Sequence, residues 1–208
     1  KAAIQSGSFD DLFIGDYWVI DEVTWVIADM DYFYNCGDTA FTKHHLVIVP
    51  DSPLYNAQMN INNTTSGGYA GSNMYTNNLD SAKATISAAF GDMVLSHREY
   101  LTTDVLNGYP STGSWYDSTV DLMNEIMVYG AYILTPANDG ITNIIRHTVA
   151  KQQLALFALN PRAINNRTSF WLRDIRNNNQ FIHVYKEGNM YGLDASYSLG
   201  VRPEFCIG

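Results

Sequence analysis

With 208 residues and 46% apolar side chains, the chain has material for one large domain with a sizeable core. Its formal charge of −9 argues against a nucleic-acid partner, because phosphate binding needs clustered Lys and Arg, and equally against docking on anionic lipid. Cys36 and Cys206 are too far apart in sequence to make a disulfide framework or a zinc spacing and read as two free buried thiols, the alternative being a single bridge from the N-terminal part to the last strand, and no apolar run approaches the length that inserts into a membrane.

Residues 1–8 are small and polar and read as a linker coming from a longer protein, ahead of a single domain over 9–208. The runs Asp16–Ile20 and Val23–Ile27 are β-rich and flank Asp21-Glu22, which predicts a hairpin with a two-residue turn lacking glycine. Asp29, Asp31, Cys36, Asp38, His44 and His45 offer metal-ligand chemistry. The Asp-x-Asp at 29 and 31 lacks the glycine and closing Glu of a calcium loop, and adjacent histidines on a strand point to opposite faces. The preferred reading is therefore a polar loop leading into a buried strand, Leu46–Pro50, with no metal. Asp51–Thr76 has no hydrophobic period and reads as a long insertion.

A helix is predicted over Asp80–Phe90, ended by Gly91, followed by a short strand at Met93-Val94-Leu95. His97 follows Ser96 directly, and such neighbours do not make a triad, so a structural or surface role is expected. Thr102–Ser114 reads as a loop around Asn107-Gly108, and the helical spacing of Val120, Leu122, Met123, Ile126 and Met127 predicts a second helix over Ser118–Tyr129. Asp121 and Glu125, four residues apart, then fall on a solvated helix face. Tyr132–Leu134 suits a strand, 136–140 a turn, and Gln153–Leu159 either a buried strand or a helical turn. Phe170, Trp171 and Leu172 suit a buried strand, while Pro203 restricts the closing apolar run to a sheet edge or a bulge. The elements together give an α+β fold of two helices on antiparallel sheets with long irregular loops.

The pairing of Trp171-Leu172-Arg173 with Gly200-Val201-Arg202-Pro203-Glu204-Phe205-Cys206 resembles the C-type lectin fold of gut bacterial and phage proteins, in particular the variable proteins of diversity-generating retroelements. The resemblance is close over the C-terminal quarter and looser elsewhere. It implies a C-type lectin fold whose last strands hold a ligand face within 173–200, rewritten by adenine-directed mutagenesis. Residues reachable from an Asn-type template codon are Arg176, Asn177, Asn178, Asn179, His183, Tyr185, Asn189, Tyr191, Leu193, Asp194 and Tyr197, whereas Lys186, Glu187 and Met190 are not. Tyr supplies rigid amphipathic area and Asn adaptable hydrogen bonds, which suits recognition. Arg173 and Arg202 are expected to brace the closing strands, with Asp174 or Glu204 as partners.

The implied role is a receptor-recognition domain on a phage virion or bacterial surface, binding a host-cell surface protein or glycan. Trimers occur in the resembling proteins, and no cofactor and no catalysis are expected. A non-variable decoration domain of the same fold is the alternative, and a formylglycine-generating-type oxidase a further one. The tripeptides of calcium-dependent sugar lectins do not occur in the chain.

Overall fold

The computed structural model describes residues 1–136 and 152–208. The turn expected at 136–140 falls outside them apart from Pro136. The architecture is mixed α+β, with one long helix, several short ones and three sheets among the described residues.

The first sheet begins with the expected hairpin. Strand β1 (Tyr17–Ile20) pairs antiparallel with β2 (Val23–Met30), with Ile20 opposite Val23. Asp21 and Glu22 take φ values of +48° and +66°, the pair of left-handed conformations that matches the twist of a two-residue hairpin. Strand β3 (Leu46–Pro50) follows β2 and is buried along its whole length, as its unbroken apolar run predicts. The next neighbour in space is the strand Pro203–Ile207, which pairs with β3 on one side. Its other side is covered by Val94–Leu95 and by Val120–Leu122. Pro203 therefore lies in an interior strand rather than at an edge. It is accommodated as the first residue of the strand, where a missing N–H costs least.

The second sheet holds Tyr55–Gln58, Phe170–Ile175, Gln180–Val184, Met190–Asp194 and Ser198–Val201. In chain order the strands after β3 are β4 (Tyr55–Gln58), β5 (Val94–Leu95), β6 (His97–Leu106), β7 (Tyr109–Ser118), β8 (Val120–Leu122), β9 (Phe170–Ile175), β10 (Gln180–Val184), β11 (Met190–Asp194), β12 (Ser198–Val201) and β13 (Pro203–Ile207). The second sheet runs β11-β10-β9-β12-β4, antiparallel except where β12 meets β9. Alternate residues of β9 and β10 serve two cores: Trp171, Ile175 and Phe181 join one, and Phe170, Leu172, Ile182 and Val184 the other. Much of the run first read as a loop-borne display is thus regular strand.

Arg202 sits where the chain leaves one sheet for the other. Its Nε donates to the Pro50 carbonyl at 2.9 Å and its Nη1 to that of Ala163 at 3.0 Å. The guanidinium lies over the rings of Phe170 and Phe157, 5.0 and 5.4 Å from their centroids. The expected bracing role holds, through carbonyls and aromatic faces rather than a carboxylate.

Several segments differ from the expectation. The supposed loop at 102–114 belongs to a long hairpin, β6–β7, closed by Asn107 and Gly108 at φ +54° and +83°. The supposed helix at 118–129 is the end of β7, then β8, then a short helix Glu125–Tyr129 capped by the Asn124 side chain. Val120–Leu122 are buried on both faces against β13, so an apolar spacing that fits a helix is used as a strand. The insertion at 51–76 contains β4 and the start of a π-helical turn, Met74–Asn78. It is fixed to β6 at Gly68 (φ +65°), where an added Cβ would lie 2.3 Å from the Thr102 carbonyl oxygen.

The long helix, Leu79–Phe90, matches its forecast and ends at Gly91. Its inward residues Leu79, Ala82 and Ile86 enter the first core. Residues 132–134 form no strand, and the 153–159 segment resolves as a helical turn, Ala155–Leu159. Within the supposed linker, residues 2–5 form a helical turn whose Ile4 is buried in the first core.

Candidate functional site

The β10–β11 hairpin forms one edge of the second sheet. His183 pairs with Trp171 on one side and Tyr191 on the other, so the three rings share one face. Trp171 is fully buried and its Nε1 donates to the Ala57 carbonyl at 2.9 Å. His183 follows with its ring 6.0 Å from Trp171 and only 5% exposed. Tyr191 and Tyr185 come next, 6.2 and 6.4 Å from His183. They touch edge to face at 5.9 Å and are 51% and 37% exposed. An aromatic row therefore runs out of the first core and ends in two solvent-facing tyrosines. Lys186 Nζ lies 5.6 Å above the Tyr185 ring, and Asn189 is exposed in the same turn. Burial lowers the pKa of His183, which disfavours its charged form within the frame.

The other predicted residues gather at the opposite end of the hairpin. Asn177 Oδ1 accepts from the backbone N–H groups of Asn179 and Gln180, at 3.1 and 3.0 Å, and shapes the β9–β10 turn. The carbonyls of Asn177 and Asn178 accept from Thr65, which joins this turn to the 51–76 insertion. Asp194 Oδ1 accepts from Asn179 Nδ2 and Gln180 Nε2. Arg176 donates to the Leu134 carbonyl, and its stem lies against Gly192. Asn178 and Tyr197 keep free surface here, Tyr197 being 58% exposed.

Of the eleven predicted positions, then, the structure divides the exposed ones between two ends of the hairpin. Three are turned into the frame by their own hydrogen bonds: Asn177, Asn179 and Asp194. Two more depart from the display expectation through burial. His183 is enclosed, and Leu193 packs half-buried on the first core.

A second concentration of polar groups was not anticipated. Asp121 and Glu125, expected on a solvated face, are both fully buried, in two separate networks. Glu125 accepts from the backbone N–H groups of Leu134 and Thr135 at 2.8 and 3.0 Å, and its own N–H donates to Asp174 Oδ2 at 2.6 Å. Burial first, then the charge of Glu125, push the Asp174 carboxyl up to about 8, against the opposing pull of Arg173.

The other network joins β6, β8, β9 and β13. Arg173 Nη2 pairs with Glu99 Oε2 at 2.9 Å, so its partner is neither Asp174 nor Glu204. Asp121 accepts from the hydroxyls of Tyr69 and Ser118. Burial raises Asp121 to about 6 and Glu204 well above the carboxylate range. Burial acts on Glu99 in the same sense, but Arg173 and His97 outweigh it and keep its pKa low. Both nitrogens of His97, both oxygens of Glu204, Oε1 of Glu99 and Nη1 of Arg173 have no hydrogen-bond partner. Leaving such an atom buried costs about 1–3 kcal/mol.

The Asp- and His-rich loop after β2 is satisfied locally. Asp31 takes His44 Nδ1 at 2.6 Å and the His45 N–H at 2.9 Å, while His45 Nε2 accepts from the Phe33 N–H at 3.1 Å. Asp29 caps the helical turn at Ala155, and Asp38 pairs with Arg98. Cys36 and Cys206 are both free thiols, Cys206 buried and Cys36 partly so. Comparisons with protein-family models, with curated proteins and with solved structures gave no match.

Proposed function

We propose that the chain is a recognition domain of C-type lectin fold, displayed on a phage virion or bacterial surface, that binds a host-cell surface protein or glycan. The observation that carries this reading is the aromatic row Trp171–His183–Tyr191–Tyr185. Its inner rings are enclosed in the core while its outer two, Tyr185 and Tyr191, are 37% and 51% exposed. A contact surface built this way loses little side-chain entropy on binding, since each ring is already held by the one beneath it. Asn189 and Lys186 give the same patch polar reach. Asn178 and Tyr197 form a second patch at the far end of the hairpin.

Retroelement diversification deepens the reading. Tyr185, Asn189, Tyr191, Asn178 and Tyr197 are exposed and reachable from an Asn-type codon, so their replacement leaves the cores untouched. Multivalent display, as a trimer, would raise a modest single-site affinity. The deciding experiment has two arms. Sequencing the coding locus should find a reverse transcriptase gene and an imperfect template repeat of the segment encoding 176–197. Binding of the displayed chain to host cells should be lost in the Tyr185→Ser, Tyr191→Ser double variant. A locus without either element removes diversification, and a double variant that binds normally removes the aromatic patch.

A further inference from the structure

The unpartnered groups between β6 and β13 converge on one point. His97 and Glu99 alternate onto the same face of β6, as Glu204 and Cys206 do on β13. One ligand atom from each of His97, Glu204 and Cys206 lies within 4.8 Å of the others, and all three residues are buried. Neither nitrogen of His97 and neither oxygen of Glu204 is hydrogen-bonded, although these side chains are 2% and 0% exposed. Glu99 Oε1, also unpartnered, lies 3.5 Å from His97 Nε2. Among the described residues, three carboxylates, Glu99, Asp121 and Glu204, act on one another here with one guanidinium, that of Arg173. Two negative charges are thus left without an ionic partner in the cluster when all three are ionised.

We propose that His97, Glu204 and Cys206 hold one divalent transition-metal ion of the zinc type inside the core. Imidazole nitrogen, thiolate sulfur and carboxylate oxygen form the mixed, borderline-soft donor set that zinc takes in four-coordinate sites. Bond lengths of about 2.0–2.3 Å place tetrahedral ligand atoms roughly 3.4–3.8 Å apart, so small side-chain rotations close the observed spacing. A doubly charged ion stabilises the ionised Glu204 and Cys206 and supplies a partner to one His97 nitrogen and one Glu204 oxygen. Burial opposes ionisation of both the Cys206 thiol and the Glu204 carboxyl, and ligation requires both as anions. The ion would be structural: it ties the β6–β7 hairpin to the central strand of the first sheet, away from the exposed tyrosines.

The test uses the full chain, unfolded and refolded with a chelator, with zinc, or with cobalt(II). About one zinc per chain should survive dialysis, and the zinc-refolded protein should melt roughly 10 °C or more above the chelated form. The cobalt form should show intense visible bands and a near-ultraviolet sulfur-to-metal band. Cys206→Ser, close in volume, should lose that ultraviolet band. Glu204→Gln should lose zinc but melt above the wild type when both are refolded in chelator, since it removes a buried carboxylate; this comparison remains informative if Cys206→Ser does not fold. Zinc below a tenth of an ion per chain together with a melting point indifferent to zinc and chelator overturns the proposal, as does a cobalt spectrum unchanged in Cys206→Ser.

Discussion

Asp121 and Glu204 are direct partners across the β8–β13 ladder, and both side chains are fully buried. Like charges so placed repel, and neither can turn to water. Arg173 is the cation that holds this arrangement together, through its pair with Glu99 and its field on Asp121 and Glu204. Arg173→Met is expected to lower the unfolding free energy by about 3–5 kcal/mol, the cost of stripping a buried charge group of its partner. Adding Asp121→Asn should restore part of it. Urea denaturation of the single and double variants reads both effects; a loss below about 1 kcal/mol for Arg173→Met would mean the cluster is neutral without it.

The Asp174 carboxyl gives the fold a pH dependence of defined sign. Its folded pKa of about 8 lies above the ordinary 3.8, so the fold prefers the protonated form. The stability it contributes is complete below the ordinary value and is lost as pH rises through 8. Glu125, Arg173 and Tyr132 are the charged or titratable groups acting on it. The melting temperature should fall between pH 6 and pH 9, and the slope should flatten in Asp174→Asn. Identical slopes in the two proteins would remove Asp174 as the cause.

Frame and surface should separate cleanly along the aromatic row. Replacing Tyr185, Tyr191 and Tyr197 together by Ser should move the melting temperature by only a few degrees, because these rings are half in solvent. Trp171→Ala should cost about 3–5 kcal/mol, since it empties a fully enclosed site. A triple variant as damaged as the tryptophan variant would place the tyrosines in the core. Differential scanning calorimetry of both decides it.

Within the asparagine run the same contrast applies one residue apart. Asn177→Ala removes the acceptor for two backbone N–H groups and should cost roughly 1–2 kcal/mol. Asn178→Ala, whose side chain is exposed, should be neutral within about 0.5 kcal/mol. Equal effects, measured by chemical denaturation, would mean that the turn does not depend on Asn177.

Local chemistry made some of this legible from sequence. The β1–β2 hairpin, β3, the long helix and β9 follow from runs and end signals contained in short windows. The β6–β7 hairpin carried its own signal in Asn107-Gly108, but Thr102, Thr103, Ser111, Thr112 and Pro110 around it read as loop. Val120–Leu122 could not be separated from a helix by spacing alone, because a strand buried on both faces shows no alternation. Asp121 and Glu125 illustrate the deeper limit. Their burial is decided by Glu204, Arg173 and residues 133–135, and no window around 121–125 contains the first two. In the hairpin, residue type marked Tyr185 and Tyr191 correctly as exposed, while Asn177 and Asp194 look no different in sequence from free surface.

The central place of β13 between β3 and the pair β5 and β8 has a consequence for biosynthesis. The strand that completes the first sheet is translated after all of its neighbours, so they emerge from the ribosome with an open seam between them. Until residues near 205 arrive, β3, β5 and β8 expose unpaired edges that invite wrong partners. Nascent chains stalled before that point should bind chaperones and resist protease poorly, and both properties should change abruptly once the final strand is free to enter.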